Sequence, residues 1–224
     1  MLAGRPFVAA RDGMVLAKRC RKGRRCYPGG RAAGASLGRA GRLDGLRRET
    51  GMVVVIMGVS GSGKTTIGQL LAERLGCGYS DADVFHPAAN IEKMARGVPL
   101  EDADREPWLR SMRTAIEASL ATGRTHVFSC SALRGRYRTM LARPGEDVVF
   151  VHLDVSYGTV MRRLAHRKGH FFDPRLARSQ FDALEVPRCA IVADAERAPE
   201  EIVDQILAGL ARRRDGDSDR GVSL

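Results

Sequence analysis

From Met52 onward the apolar residues follow two alternating rhythms. Val53–Met57 is an unbroken apolar run, largely β-branched, and predicts a strand buried on both faces. Runs over Tyr79–Ala82, Thr125–Cys130, Val148–Leu153 and Ala190–Ala193 predict four more. Helical spacing lies between them. Lys64–Leu75 places Ile67, Leu70 and Leu71 on one face, and Gly76 and Gly78 end it. Pro107 is expected to open a helix whose Trp108, Met112, Ile116 and Leu120 recur every four residues until Gly123. Ser156 can cap a helix carrying Val160 and Leu164, and Pro199 opens one with Ile202, Ile206 and Leu210 inward. Strands alternating with helices predict an α/β fold: a parallel sheet with helices on both faces, three layers in all.

Residues 1–51 break this pattern. They are rich in Arg, Gly and Ala without sustained periodicity, and are expected to form no packed core. They also account for the charge. The chain carries +11, and residues 1–50 hold 13 Lys and Arg against Asp12, Asp44 and Glu49, so the remainder is near neutral. Nucleic-acid binding by the core is therefore not expected. The extension has three readings: a targeting peptide, a tail for nucleic acid or a membrane surface, or a stretch upstream of a natural start at Met52. The last is preferred, because Met52 directly precedes the first strand and only five of the 37 basic residues are Lys. The expected organisation is an extension over 1–51, a folded α/β domain over 52–212 and a frayed tail over 213–224. No apolar run is long enough to span a membrane. The five cysteines include no C-x-x-C pair, which argues against a disulfide framework or zinc site and for a reducing compartment.

The strongest chemical signal is Gly58-Val59-Ser60-Gly61-Ser62-Gly63-Lys64-Thr65, followed by Thr66. It matches the phosphate-binding G-x-x-x-x-G-K-[ST] loop, in the strand-to-helix setting that the motif requires. Glycines let successive N–H groups converge on phosphate oxygens, and the following helix aims its positive end at the same place. Lys64 supplies a point charge for the β- and γ-phosphates of ATP, and the Thr65 hydroxyl a ligand for Mg²⁺. None of the five lysines lies in the N-K-x-D element with which GTPases recognise guanine.

Asp81 and Asp83 close the second strand, where ligands of parallel sheets gather. Strand alternation would turn both to one side unless a loop breaks it. One carboxylate can orient Mg²⁺ and the other accept a proton from an attacking hydroxyl, although a D-x-D pair also serves as a helix cap or solvated turn.

Longer motifs follow: Asp81-Ala82-Asp83-Val84-Phe85-His86-Pro87, Asn90 to Met94, Gly97 to Leu100, and Asp102 to Leu109. Cys130 to Arg134 with Tyr137-Arg138, Arg163-Leu164, Arg167 to Phe172, Ser179-Gln180-Phe181 and Leu184 to Pro187 complete the set. From about Met52 to Ala211 the chain closely resembles the gluconokinase family. The resemblance implies a P-loop fold like that of shikimate and nucleoside monophosphate kinases, with a mobile lid. It implies a cytoplasmic homodimer that makes 6-phosphogluconate from gluconate and ATP. It assigns Asp83 as base, Asp81 with Thr65 to Mg²⁺, and Lys64, Arg163 and Arg167 to the transferring phosphoryl group. His86, Lys93, Arg105, Arg134, Arg138 and His170 become candidates for the acceptor. Each has a plainer reading: Lys93 and Arg138 as surface charges, His86 as a turn residue, the 163–168 cations as a solvated helix end. Trp108 is expected in the core and Cys130 as packing. Two departures stand out. Arg134 occupies a position where the family more often has Lys, and the stretch from Pro187 to the last strand is several residues shorter than usual, near the expected adenine site. Competing readings are another small-molecule kinase such as a shikimate kinase, a nucleic-acid-binding ATPase using the extension, and a catalytically dead scaffold.

Overall fold

A computed structural model of the chain describes residues 51–96, 98–166 and 174–216. Five parallel strands form one sheet: β1 (Val53–Met57), β2 (Gly78–Asp81), β3 (His126–Ser129), β4 (Val148–Asp154) and β5 (Ile191–Asp194), in the order β2-β3-β1-β4-β5. The apolar run in β1 has its physical cause here. The strand is central, all five residues are fully buried, and alternate side chains enter opposite cores. Val54 and Ile56 pack with Ile67 and Leu71 of α1 (Lys64–Leu75), Val160 and Leu164 of α5 (Tyr157–Ala165), and Ile202 and Ile206 of α7 (Pro199–Gly216). Val53, Val55 and Met57 pack with Trp108, Met112 and Ile116 of α3 (Asp102–Ala121), and Tyr137 and Leu141 of α4 (Gly135–Leu141). These are the three expected layers.

The expected α3 start is corrected. The helix begins at Asp102, and Pro107 lies inside its second turn. A reciprocal cap explains this. The Glu101 side chain accepts from the Asp104 backbone N–H, while the Asp104 carboxylate accepts from Glu101 N–H at 2.8 Å. The capped first turn tolerates the one internal hydrogen bond that proline removes. Three helices were not expected from the sequence: α2 (Ala88–Ala95), α4 and α6 (Pro174–Ala183). The first is eight residues long and buries only Asn90. Helix α7 runs to Gly216, past the expected boundary at 212. Residues 1–50 and 217–224 lie outside the described residues. Arg113 of α3 is a buried cation, paired with Glu146 and donating to Leu141 O at 3.0 Å, so it joins α3 to the turn before β4. Among the described residues no helix is long and apolar enough to cross a membrane.

Candidate active site

The loop from β1 to α1 is held open by conformation. Gly58, Gly61 and Gly63 all take positive φ, and Gly63 at φ 101° leads directly into α1. A side chain at any of the three would be strained. The loop turns back on itself through Ser62 N–H to Val59 O, and Lys64 Nζ donates to Val59 O at 3.0 Å. The ammonium is thus kept against the loop. Thr65 and Thr66 are exposed in the first turn of α1, beside the helix N-terminus.

Asp81 ends β2 in register with Ser129 of β3. Its Oδ2 accepts from Thr65 Oγ1 at 3.1 Å and from Tyr79 OH at 3.2 Å, and the Tyr79 hydroxyl also meets Ser129 Oγ at 2.8 Å. Gly68 makes this arrangement possible, since a Cβ there would lie 2.6 Å from the Tyr79 ring. The expected strand alternation of Asp81 and Asp83 is corrected. Asp81 caps a one-turn 3₁₀ helix, Ala82–Phe85, and its Oδ1 accepts from Asp83 N–H at 3.1 Å. The aspartate's short side chain reaches its own backbone two residues on and breaks the strand. Asp83 therefore sits on a turn, exposed to solvent.

That turn is anchored from below. Trp108 Nε1 donates to Ala82 O at 2.7 Å, and Trp108 stacks on His86 at 4.3 Å between centroids. Trp108 is 4% exposed, so it is core as expected. His86 Nδ1 faces Asn90 Nδ2 at 3.3 Å, which makes Nδ1 the acceptor and leaves the proton on Nε2. Burial lowers the His86 pKa, Asp83 opposes this, and Arg105 lowers it further.

Two acceptor-side cations converge. Arg105 of α3 and Arg134, which precedes α4, lie 3.7 and 3.8 Å from opposite oxygens of Asp102. Arg136 and the Tyr137 hydroxyl bond the same carboxylate and hold it below its usual range. Two others are placed differently. Lys93 Nζ bonds both oxygens of Asp104, at 2.7 and 2.9 Å. Arg138 donates to Ala132 O and Leu133 O at 3.0 and 3.1 Å. Ala132 has φ 41°, the one non-glycine in the left-handed region among the described residues, and the Arg138 clasp holds that strained corner.

Arg163 of α5 donates to Ser62 O at 3.3 Å and to Ala195 O at 2.7 Å. It braces the phosphate loop against the turn after β5. Arg167 and His170 lie outside the described residues, as does the expected lid segment. Glu196 holds the N-terminus of α5, accepting from Ser156 N–H at 2.8 Å and Thr159 Oγ1 at 2.6 Å. Those bonds depress its pKa to about 2. Sequence reasoning assigned no role to Tyr79 or Asp102, several of whose partners are distant in sequence. It carried Gln180 and Glu185 only within the resemblance.

For Mg²⁺, Thr65 Oγ1 and Asp81 Oδ2 provide two adjacent oxygen donors, the hard ligand type this ion takes while keeping waters and substrate phosphates. Among the described residues no group of three His, Cys, Asp or Glu could hold a metal. The donor set suits a metal brought with a nucleotide.

A family model described as shikimate kinase matches residues 60–211. A probable gluconokinase of Dictyostelium discoideum is 41% identical over 174 residues, spanning 72% of this chain and 87% of its own. A gluconokinase of Gluconobacter oxydans is 41% identical, spanning 69% and 88%. The crystal structure of a gluconokinase from Sinorhizobium meliloti superposes with a TM-score of 0.66 at 41% identity, covering 75% of this chain and 96% of its own. An APS kinase of Mycobacterium tuberculosis, at 18% identity and a TM-score of 0.55, shares the fold.

Proposed function

The chain belongs to the gluconokinase family, and we propose that it moves the γ-phosphoryl group of ATP onto the 6-hydroxyl of D-gluconate, giving ADP and 6-phospho-D-gluconate. The observation that carries this reading is the hydrogen bond from Thr65 to Asp81, which joins the phosphate loop to the turn bearing Asp83. Donor and acceptor machinery meet at that bond.

The 58–65 loop amides and Lys64 hold the β- and γ-phosphates. Thr65 and Asp81 would hold Mg²⁺, which when bound neutralises charge on those phosphates. Asp83 accepts the proton of the 6-hydroxyl as that oxygen bonds to phosphorus and the bond to the β-γ bridging oxygen breaks. Arg105 and Arg134 bind the gluconate carboxylate in place of Asp102, since guanidinium groups pair well with carboxylates. The Nε2–H of His86 donates to a sugar hydroxyl. Lys93 and Arg138 hold the walls of that site. Arg163 shapes the loop, and Arg167 and His170 belong to a lid that closes over the phosphates and excludes water. A cytoplasmic homodimer completes the reading, with light scattering as its test.

The experiment is ATP consumption by the full chain with gluconate, other sugar acids, shikimate or no acceptor. Turnover is expected with gluconate alone. Asp83→Asn is expected to lower kcat by about 10²- to 10⁴-fold while ATP still binds. Equal turnover with shikimate, or full activity in Asp83→Asn, would sink the assignment.

A further inference from the structure

Helix α6 reaches the phosphate loop from a point 120 residues away. Gln180 Oε1 accepts from Ser60 N–H at 2.6 Å. Five residues later the same segment grips the acceptor loop, where Glu185 N–H donates to Leu133 O at 2.9 Å and Glu185 Oε2 accepts from Gly135 N–H at 2.6 Å. Arg134 lies between those two contacts. Leu184 packs against both hydrophobic cores, so the short connection is fixed on each side of the sheet. Phe181 meets Tyr157 of α5 edge-on at 5.5 Å, and α5 carries Arg163, which holds Ser62 O of the same phosphate loop.

The chemistry of these contacts is complementary. The phosphate loop offers N–H donors, and Gln180 supplies a neutral oxygen to one of them. A carboxylate there would repel a triphosphate, whereas a carboxamide fixes the Ser60 N–H without adding charge. On the acceptor side a carboxylate does the holding, through Gly135 N–H and beside the Arg138 guanidinium.

We infer that residues 180–185 form a positioning bridge, in which Gln180 sets the phosphate loop for the nucleotide's β- and γ-phosphates and Glu185 sets the Arg134 loop for the acceptor carboxylate. The acceptor half rests on the gluconate reading, and the nucleotide half does not.

Titration calorimetry on the full chain tests this, using a non-hydrolysable ATP analogue, AMP and gluconate separately. Gln180→Met keeps side-chain length and removes the acceptor. It is expected to weaken the ATP analogue by about threefold to tenfold, the loss of one hydrogen bond, while AMP and gluconate stay within about twofold. Glu185→Ala is expected to weaken gluconate by a similar factor and leave the ATP analogue unchanged. Glu185→Gln, which still offers Gly135 N–H an oxygen, is expected to restore gluconate binding. If Gln180→Met does not fold, Gln180→Glu serves, because it keeps the acceptor but adds charge, and it must weaken the ATP analogue more than AMP. Equal losses for ATP analogue and AMP would overturn the inference, as would losses shared by both substrates in each variant. Tighter ATP-analogue binding by Gln180→Met would make Gln180 a competitor of phosphate and also overturn it. Failure of the wild type to bind gluconate would strike the functional reading alone, since the ratio of ATP analogue to AMP is measured without it.

Discussion

Replacing Trp108 by Phe tests whether the core sets the position of Asp83. Phenylalanine keeps an aromatic face for His86 but has no N–H for Ala82 O, a bond of 2.7 Å in the wild type. Ala82 is 1% exposed, so water cannot readily replace the lost donor. An orphaned buried carbonyl costs about 1–3 kcal/mol. The smaller ring adds a cavity cost on the order of 1 kcal/mol. Each kcal/mol lowers Tm by about 2–4 °C in a domain of this size. The kinetic effect is separate. Ala82 directly precedes Asp83, and misplacing a reacting group by about 1 Å can cost about 10²-fold in rate. The phosphate loop hangs from β1 and does not depend on this bond, so KM for ATP is expected to stay near its wild-type value while kcat falls. Unfolding should be followed by circular dichroism, because Trp108 is the only tryptophan. Lower stability with unchanged kcat would refute the idea that this bond positions the base. No change in either would show that the bond contributes nothing.

Other outcomes follow from contacts away from the turn. Arg113→Met removes the partner of Glu146 and a donor to Leu141 O, and is expected to destabilise by about 3 kcal/mol in urea unfolding, as for a broken buried pair. Glu196 has a folded-state pKa of about 2, below its unfolded value, so its contribution is full above about pH 4.5 and fades as pH falls toward 2. Glu196→Gln should show a shallower loss of stability than the wild type over that interval. Among Cys77, Cys130 and Cys189, only exposed Cys189 is expected to label quickly with a thiol reagent at pH 8. Burial pushes Cys77 up to about 11 and Cys130 to about 12, and peptide mapping would locate the label.

Much of this was legible in the sequence, for identifiable reasons. β1 and α1 announced themselves because burial on two faces requires a continuous apolar run, and a phosphate loop requires glycines at fixed spacing. Helix α2 escaped because it is only eight residues long and buries only Asn90. The start of α3 was missed because proline was weighted above a cap built from Glu101 and Asp104. The site divided in the same way. Lys64, Thr65, Asp81 and Asp83 stand in contiguous motifs. The Tyr79–Ser129 contact and the Asp102 hub join residues dozens of positions apart, and no local pattern encodes such a meeting. Arg138 and Lys93 read as acceptor candidates or surface charges, but each is held by partners that the fold brings near.

The place of β1 in the sheet also bears on how the protein is made. Both of its hydrogen-bonded neighbours, β3 and β4, come from much later in the chain. A growing chain therefore displays the glycine-rich loop long before β3, β4, Arg163 and Gln180 are there to brace it. Such non-local pairings close slowly, because the loop entropy must be overcome first. Nascent or truncated chains that end before β4 are therefore expected to bind nucleotide poorly. The same delay leaves the most apolar strand uncovered during synthesis, and that is the interval in which a chaperone would matter most.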